Sequence, residues 1–211
     1  MESNLYTDIL PEQQKKLFYL LPEQEWLDNF YLAGGTGLSL QTGHRQSINF
    51  DFFSSHIFEN NKITDYMKNL GNVYLLSEAK NTLHLMTDEL KISFFHITFP
   101  LLASTTDLKY LHIAHILDIG VMKLNAISGR GSKKNFIDLC IILEKHFSLT
   151  ELLKKYEEKY GVEVANNYHL FKSLIYFEDA EREPSPKMLI KLSWKKVKEN
   201  IIKHLKKSEL F

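Results

Sequence analysis

The sequence predicts an α+β fold, a mixed β-sheet with flanking helices followed by a helical second half. Three observations carry this. The β-rich runs "FYLA", "SINFDFF", "NVYLLSEA", "TLHLMT" and "LKISFFHITF" all fall before residue 100. From Ile116 onward apolar residues recur at helical spacing instead. The chain has 211 residues, 44% hydrophobic and 25% charged, ordinary for a globular protein and enough for one ample core or two small domains. That order of elements predicts a mixed domain over 1–113 and a helical domain over 114–211.

Residues 8–30 read as helix, with Pro11 early and a break near Pro22, then a second short helix over 22–29. "FYLA" follows as a strand. Gly34 and Gly35 supply the backbone freedom for a tight turn into a short helix carrying Leu38 and Leu40 and ending near Gly43. "SINFDFF" alternates, with Ile48, Phe50 and Phe52 on one face and Asn49, Asp51 and Phe53 on the other. A helix over 57–70 precedes three β-runs, the last two joined by a hairpin at "TDE". "YLHIA" is a candidate for one more strand.

In the second half, Ile116, Leu117, Gly120, Leu124 and Ile127 share a helical face, and "SGRGS" stops that helix at Gly129 and Gly131. "KKNFIDLCIILEKHF" is apolar nearly all round and is expected inside the core. Helices follow at "LTELLKKYEEKYG" and "NNYHLFKSLIYFEDA", then a proline-marked link, "EREPSP". A last helix is predicted from Lys187, with Ile190, Trp194, Val197, Ile201 and Leu205 as its stripe.

Composition excludes several classes. No apolar run approaches the roughly 18–20 residues of a membrane span, and "MESNLYTDIL" has no secretory pattern, so a cytoplasmic protein is expected. Zero net charge argues against a chain-wide nucleic-acid coat but leaves local patches open. The last helix, with eight lysines and one glutamate over 187–207, reads as a solvated face, with RNA phosphate contact as the alternative. Cys140, the one cysteine, reads as inert core. His84, His96, His112 and His115 lack ligand spacing and read as surface or hydrogen-bonded residues.

The stretch from Tyr31 to Ser55 holds the chemistry. A helix N-terminus after Gly34-Gly35 offers free N–H groups to a phosphate, and Thr36 could cap that helix or hold a phosphate oxygen. Arg45 lies where a guanidinium could meet phosphate oxygens. Asn49 and Asp51, two apart on a strand, are separated by about 6–7 Å along the backbone, close enough to share a metal ion. A plain turn with an Asp51–Arg45 pair is the structural alternative. In the second half, Lys134 and Asp138 stand one helical turn apart, as an intrahelical pair would.

On these residues the chain resembles the AbiEii/AbiGii toxin family, within the polymerase-beta-like nucleotidyltransferases. "YLAGGTGLSLQTGHRQSINFDFFS" is similar to the family's Gly-Gly-Thr turn, His-Arg-x-Ser and Asp-x-Asp strand. The similarity continues at "KISFFHITFPLL", "ILDIGVMKLNAISGRGSKKNFIDL" and "SLIYFEDAEREPSPKMLIKLSW". It implies a nucleotidyltransferase fold in which Gly34, Gly35, Thr36 and Arg45 meet NTP phosphates. Asp51, with Asn49 beside it, would hold Mg²⁺. Lys123 would face the nucleotide, Arg130, Lys133 and Lys134 would belong to a basic loop, and Asp138 would be the acidic position on the following helix. Asp51, Lys123 and Asp138 are thus the implied catalytic set. Three positions depart from the family pattern: Asn49 and Asn135 each replace an aspartate, and Ser93 stands where related enzymes place a third carboxylate. The resemblance implies an NTP, an RNA acceptor such as tRNA (or a protein side chain) and a cognate antitoxin as partners. The departures leave a catalytically degenerate binding module as the rival reading.

Overall fold

The computed structural model describes residues 5–161 and 167–208. The chain divides into two compact units. One runs through Pro100 and again over Ser104–His115; the other takes Leu101–Ala103 and the chain from Ile116 onward.

In the first unit, helix α1 covers Glu12–Leu20 and gives way to 3₁₀ turns at Leu21–Glu23 and Glu25–Asn29. The predicted helices over 8–30 are therefore shorter and tighter than expected. Pro22 lies within the first 3₁₀ turn and has no N–H with which to continue the α-helical ladder. Strand β1 is two residues, Tyr31–Leu32, and leads directly into α2, Gly34–Thr42, which ends at Gly43 with φ +65°. Strand β2 is Phe50–Ser54 and helix α3 is Asn60–Lys68. Ile48 was expected on the buried face with Phe50 and Phe52. It precedes the strand and is 57% exposed, because strand alternation extends no further than strand pairing does.

Strands β3 (Val73–Ala79), β4 (Thr82–Thr87) and β5 (Leu90–His96) form an antiparallel meander. The predicted hairpin turns at Asp88 and Glu89, whose φ values of 44° and 70° match the twist a two-residue hairpin needs. Strand β6, Thr106–Leu108, has no counterpart in the sequence reading; it pairs with β7, Leu111–Ile113. The seven strands lie in the order β3-β4-β5-β2-β1-β7-β6, with β2/β5 and β1/β7 parallel and the other pairs antiparallel. Phe50, Phe52 and Phe94 stack on one face with Leu83, Leu85 and Ile92, and with Ile63 and Met67 of α3. Burying these rings sets the register, since a one-residue slip would turn the whole row to the opposite face.

The second unit is helical: α4 Ile116–Arg130, α5 Lys133–Lys145, α6 Leu149–Tyr160, α7 Asn167–Ile175, α8 Glu178–Glu181 and α9 Trp194–Lys207. As predicted, α5 is interior, buried from Phe136 to Leu143 and packed against α4, α8 and α9. Ser132, Ser148 and Ser193 cap α5, α6 and α9 by accepting N–H bonds from the first turn. The last helix starts at Trp194, seven residues later than the reading from Lys187. Ser193 sets that start, and Ile190 lies outside the helix. The helix predicted across "NNYHLFKSLIYFEDA" is two, α7 and α8, and its first residue, Asn166, lies outside the described residues. A buried pair, Lys159 with Asp118 at 2.7 Å, lies between α6 and α4. Asp118 also accepts the N–H groups of Leu102 and Ala103 at 3.0–3.1 Å.

Candidate functional site

In the first unit the turn is built by glycines and backed by β2. Ala33 N–H donates to the carbonyl of Asp51 at 3.0 Å, and Gly37 N–H makes the first intrahelical bond, to Ala33, at 3.0 Å. This leaves the N–H groups of Gly34, Gly35 and Thr36 in the first helical turn, without an intrahelical acceptor. Gly34 sits at φ +64°, and a Cβ there would come within 2.9 Å of Asp51 Oδ2. The absent side chain thus makes room for the carboxylate beside the helix N-terminus. At Gly35 a Cβ would overlap Arg45 Nη2 and lie 2.8 Å from Ser47 Oγ.

Two sequence expectations change here. Thr36 is buried, and its hydroxyl donates to the backbone carbonyls of Ser47 (3.3 Å) and Asn49. Ala33 is the N-cap residue instead, with no side-chain cap. The single hydroxyl proton of Thr36 is engaged, so in this arrangement the residue ties the 47–49 segment to α2. Arg45 is 2% exposed; its guanidinium lies against Gly35 and donates to the Gln46 carbonyl at 3.0 Å. It braces the turn from behind. Gly34, Gly35, Thr36, Arg45, Asn49 and Asp51 are all brought together, through α2 and the approach to β2.

Across the sheet, β2/β5 register sets Asp51 opposite Ser93, and β4/β5 register sets Ser93 opposite His84. These three side chains share a sheet face. His84 Nδ1 and Ser93 Oγ are hydrogen-bonded at 2.9 Å. Spacing alone groups His84 with the scattered histidines; the signal that singles it out is the hairpin, since a two-residue turn at Asp88-Glu89 places 84 opposite 93.

In the second unit Lys123, nearly buried on α4, makes a 2.7 Å ion pair with Asp138, which is fully buried on α5. Its Nζ also donates to Asn135 Oδ1 at 3.2 Å. The salt bridge of Asp138 thus runs across helices to Lys123, and Lys134 is exposed in the first turn of α5. Of the two loop lysines, Lys133 is buried: its Nζ donates to the Glu181 and Glu183 carbonyls and lies 5.4 Å from the Trp194 ring. Arg130 is exposed at the end of α4 and lines a cleft of about 610 Å³ with His169, Lys172 and Tyr176.

Comparison with known proteins identifies the family and the fold. Residues 15–120, half of the chain, match the family model described as nucleotidyl transferase AbiEii toxin, type IV TA system. The chain belongs to the AbiEii family. A relative from Aquifex aeolicus, the uncharacterized protein aq_aa25, is 41% identical over 163 residues, covering 74% of this chain and 77% of the relative. Two solved structures share the fold. JHP933 from Helicobacter pylori has a TM-score of 0.53 at 16% identity, over 95% of each chain. The nucleotidyltransferase toxin MenT4 from Mycobacterium tuberculosis has a TM-score of 0.51 at 11% identity, over 92% of this chain and 84% of its own. This AbiEii-family chain therefore carries a nucleotidyltransferase-type sheet and helical region. Among the described residues, no helix is long and apolar enough to cross a membrane.

Proposed function

We propose that this chain binds an NTP at the Gly34–Thr36 turn and transfers its nucleotidyl group to an RNA end. The observation that carries the reading is the Asp51 carboxylate set beside three helix-terminal N–H groups, in space kept open by Gly34. N–H groups at a helix N-terminus attract phosphate, and a carboxylate next to phosphate oxygens is a donor set for Mg²⁺. Among the described residues no three His, Cys, Asp or Glu side chains converge on a metal position. Mg²⁺ accepts one carboxylate together with substrate phosphates, so Asp51, with the Asn49 amide oxygen, fits an ion that arrives with the nucleotide. That ion would supply charge neutralisation at the attacking and leaving oxygens. Lys123 is paired with Asp138 within the helical unit. AbiEii membership supports a cognate antitoxin as a further partner.

A second reading, a degenerate module that keeps the fold but has lost the metal–nucleotide site and transfers nothing, is favoured by Asn49, Asn135 and the engagement of Ser93 with His84. Titration calorimetry with the four NTPs, with and without Mg²⁺, on wild type and Asn49→Asp separates the two. Magnesium-dependent binding by wild type is the expected result. Binding by the variant alone would favour the degenerate module, and silence from both would remove the nucleotide site altogether.

A further inference from the structure

Asp51, Ser93 and His84 occupy successive positions across β2, β5 and β4, with neighbouring strands about 5 Å apart. His84 is partly buried. Its ring packs edge-on against Phe95 at 5.3 Å between centroids, and Ser93 Oγ holds Nδ1 at 2.9 Å. Ser77 stands opposite it on β3. Among the described residues, Nε2 has no hydrogen-bond partner. The charged groups acting on the ring are Lys91, two residues before Ser93 on the same face, and Asp51. Burial, then Lys91, push the imidazole below its ordinary value, against the opposing pull of Asp51. A neutral imidazole with Nδ1–H donated to Ser93 leaves the Nε2 lone pair as a proton acceptor.

We propose that His84 is the general base of this site, a role that rests on the nucleotidyl-transfer reading above. The chemistry balances without a further reactant. The acceptor hydroxyl gives its proton to His84 Nε2, and its oxygen forms the new bond to the α-phosphorus. The bond from that phosphorus to the bridging oxygen breaks and pyrophosphate leaves with the electron pair. His84 then loses the proton to solvent.

The test is transfer of label from α-³²P-NTPs to total RNA between pH 5 and 9, by wild type and His84→Gln, with NTP binding measured on both by calorimetry. Glutamine can keep a hydrogen bond to Ser93 but cannot take up a proton. The expected result is unchanged NTP binding, transfer slower by about 10²–10⁴-fold, and loss of the acidic limb that the wild-type profile shows below about pH 6.5. Transfer by His84→Gln at the wild-type rate overturns the proposal, as does a wild-type profile with no acidic limb; either result leaves nucleotidyl transfer standing. Absence of transfer by wild type with every NTP removes the transfer reading itself, and His84 with it.

Discussion

Replacing Lys159 with methionine removes the ammonium that faces Asp118 while keeping most of the side-chain volume. Both side chains are fully buried, 2.7 Å apart, and the carboxylate keeps its bonds from the Leu102 and Ala103 N–H groups. Those two neutral donors do not compensate a full negative charge in the interior. Breaking a buried pair from one side costs about 3–5 kcal/mol. For a chain of this size that is a fall of roughly 6–20 °C in melting temperature. The pair Asp118→Asn with Lys159→Met removes both charges and retains an acceptor for the loop amides, so it should lose much less than the sum of the single changes. The assay is urea unfolding of all four proteins, followed by labelling of Cys140. That thiol is 1% exposed, and burial pushes it up to about 11, so it reacts when the helical unit opens. A loss below about 1 kcal/mol for Lys159→Met, or strict additivity in the cycle, would refute the reasoning.

Gly34→Ala should cost about 1–2 kcal/mol for its left-handed backbone and weaken NTP·Mg²⁺ binding more than tenfold, because the new Cβ meets Asp51 Oδ2 at 2.9 Å. Gly129→Ala, with no atom within 4 Å of its Cβ, is the control and should leave binding unchanged; equal binding by both variants in calorimetry would sink the account of the turn. His112 tests electrostatics in the sheet unit. Burial pulls its imidazole down, but the hydrogen bonds it donates to the carboxylates of Asp107 (2.7 Å) and Asp28 (3.1 Å) outweigh this and leave it raised. A raised folded value means the stabilisation is complete below about pH 6.5 and is lost as pH rises through the folded-state value. Denaturation midpoints should therefore fall over that rise in wild type and flatten in His112→Gln. An NMR titration placing His112 at or below the ordinary histidine value would contradict it.

The sequence by itself determined the local features. Period-two and helical patterns separated a sheet-bearing first half from a helical second, and Gly34-Gly35 before a strand carrying Asp51 located the turn, because backbone freedom and side-chain alternation are properties of neighbouring residues. It also marked Lys123 and Asp138, but through resemblance; spacing alone offered Asp138 to Lys134. Tertiary structure decided partners. The α4–α5 crossing gave Asp138 to Lys123, the loop before β2 turned the Thr36 hydroxyl inward, and the close approach to Gly35 buried Arg45. It also set His84, Ser93 and Asp51 in one row. Each of these depends on which distant backbone arrives alongside, and burial then makes the pairing obligatory, since a polar group taken out of water must find its partner within the protein.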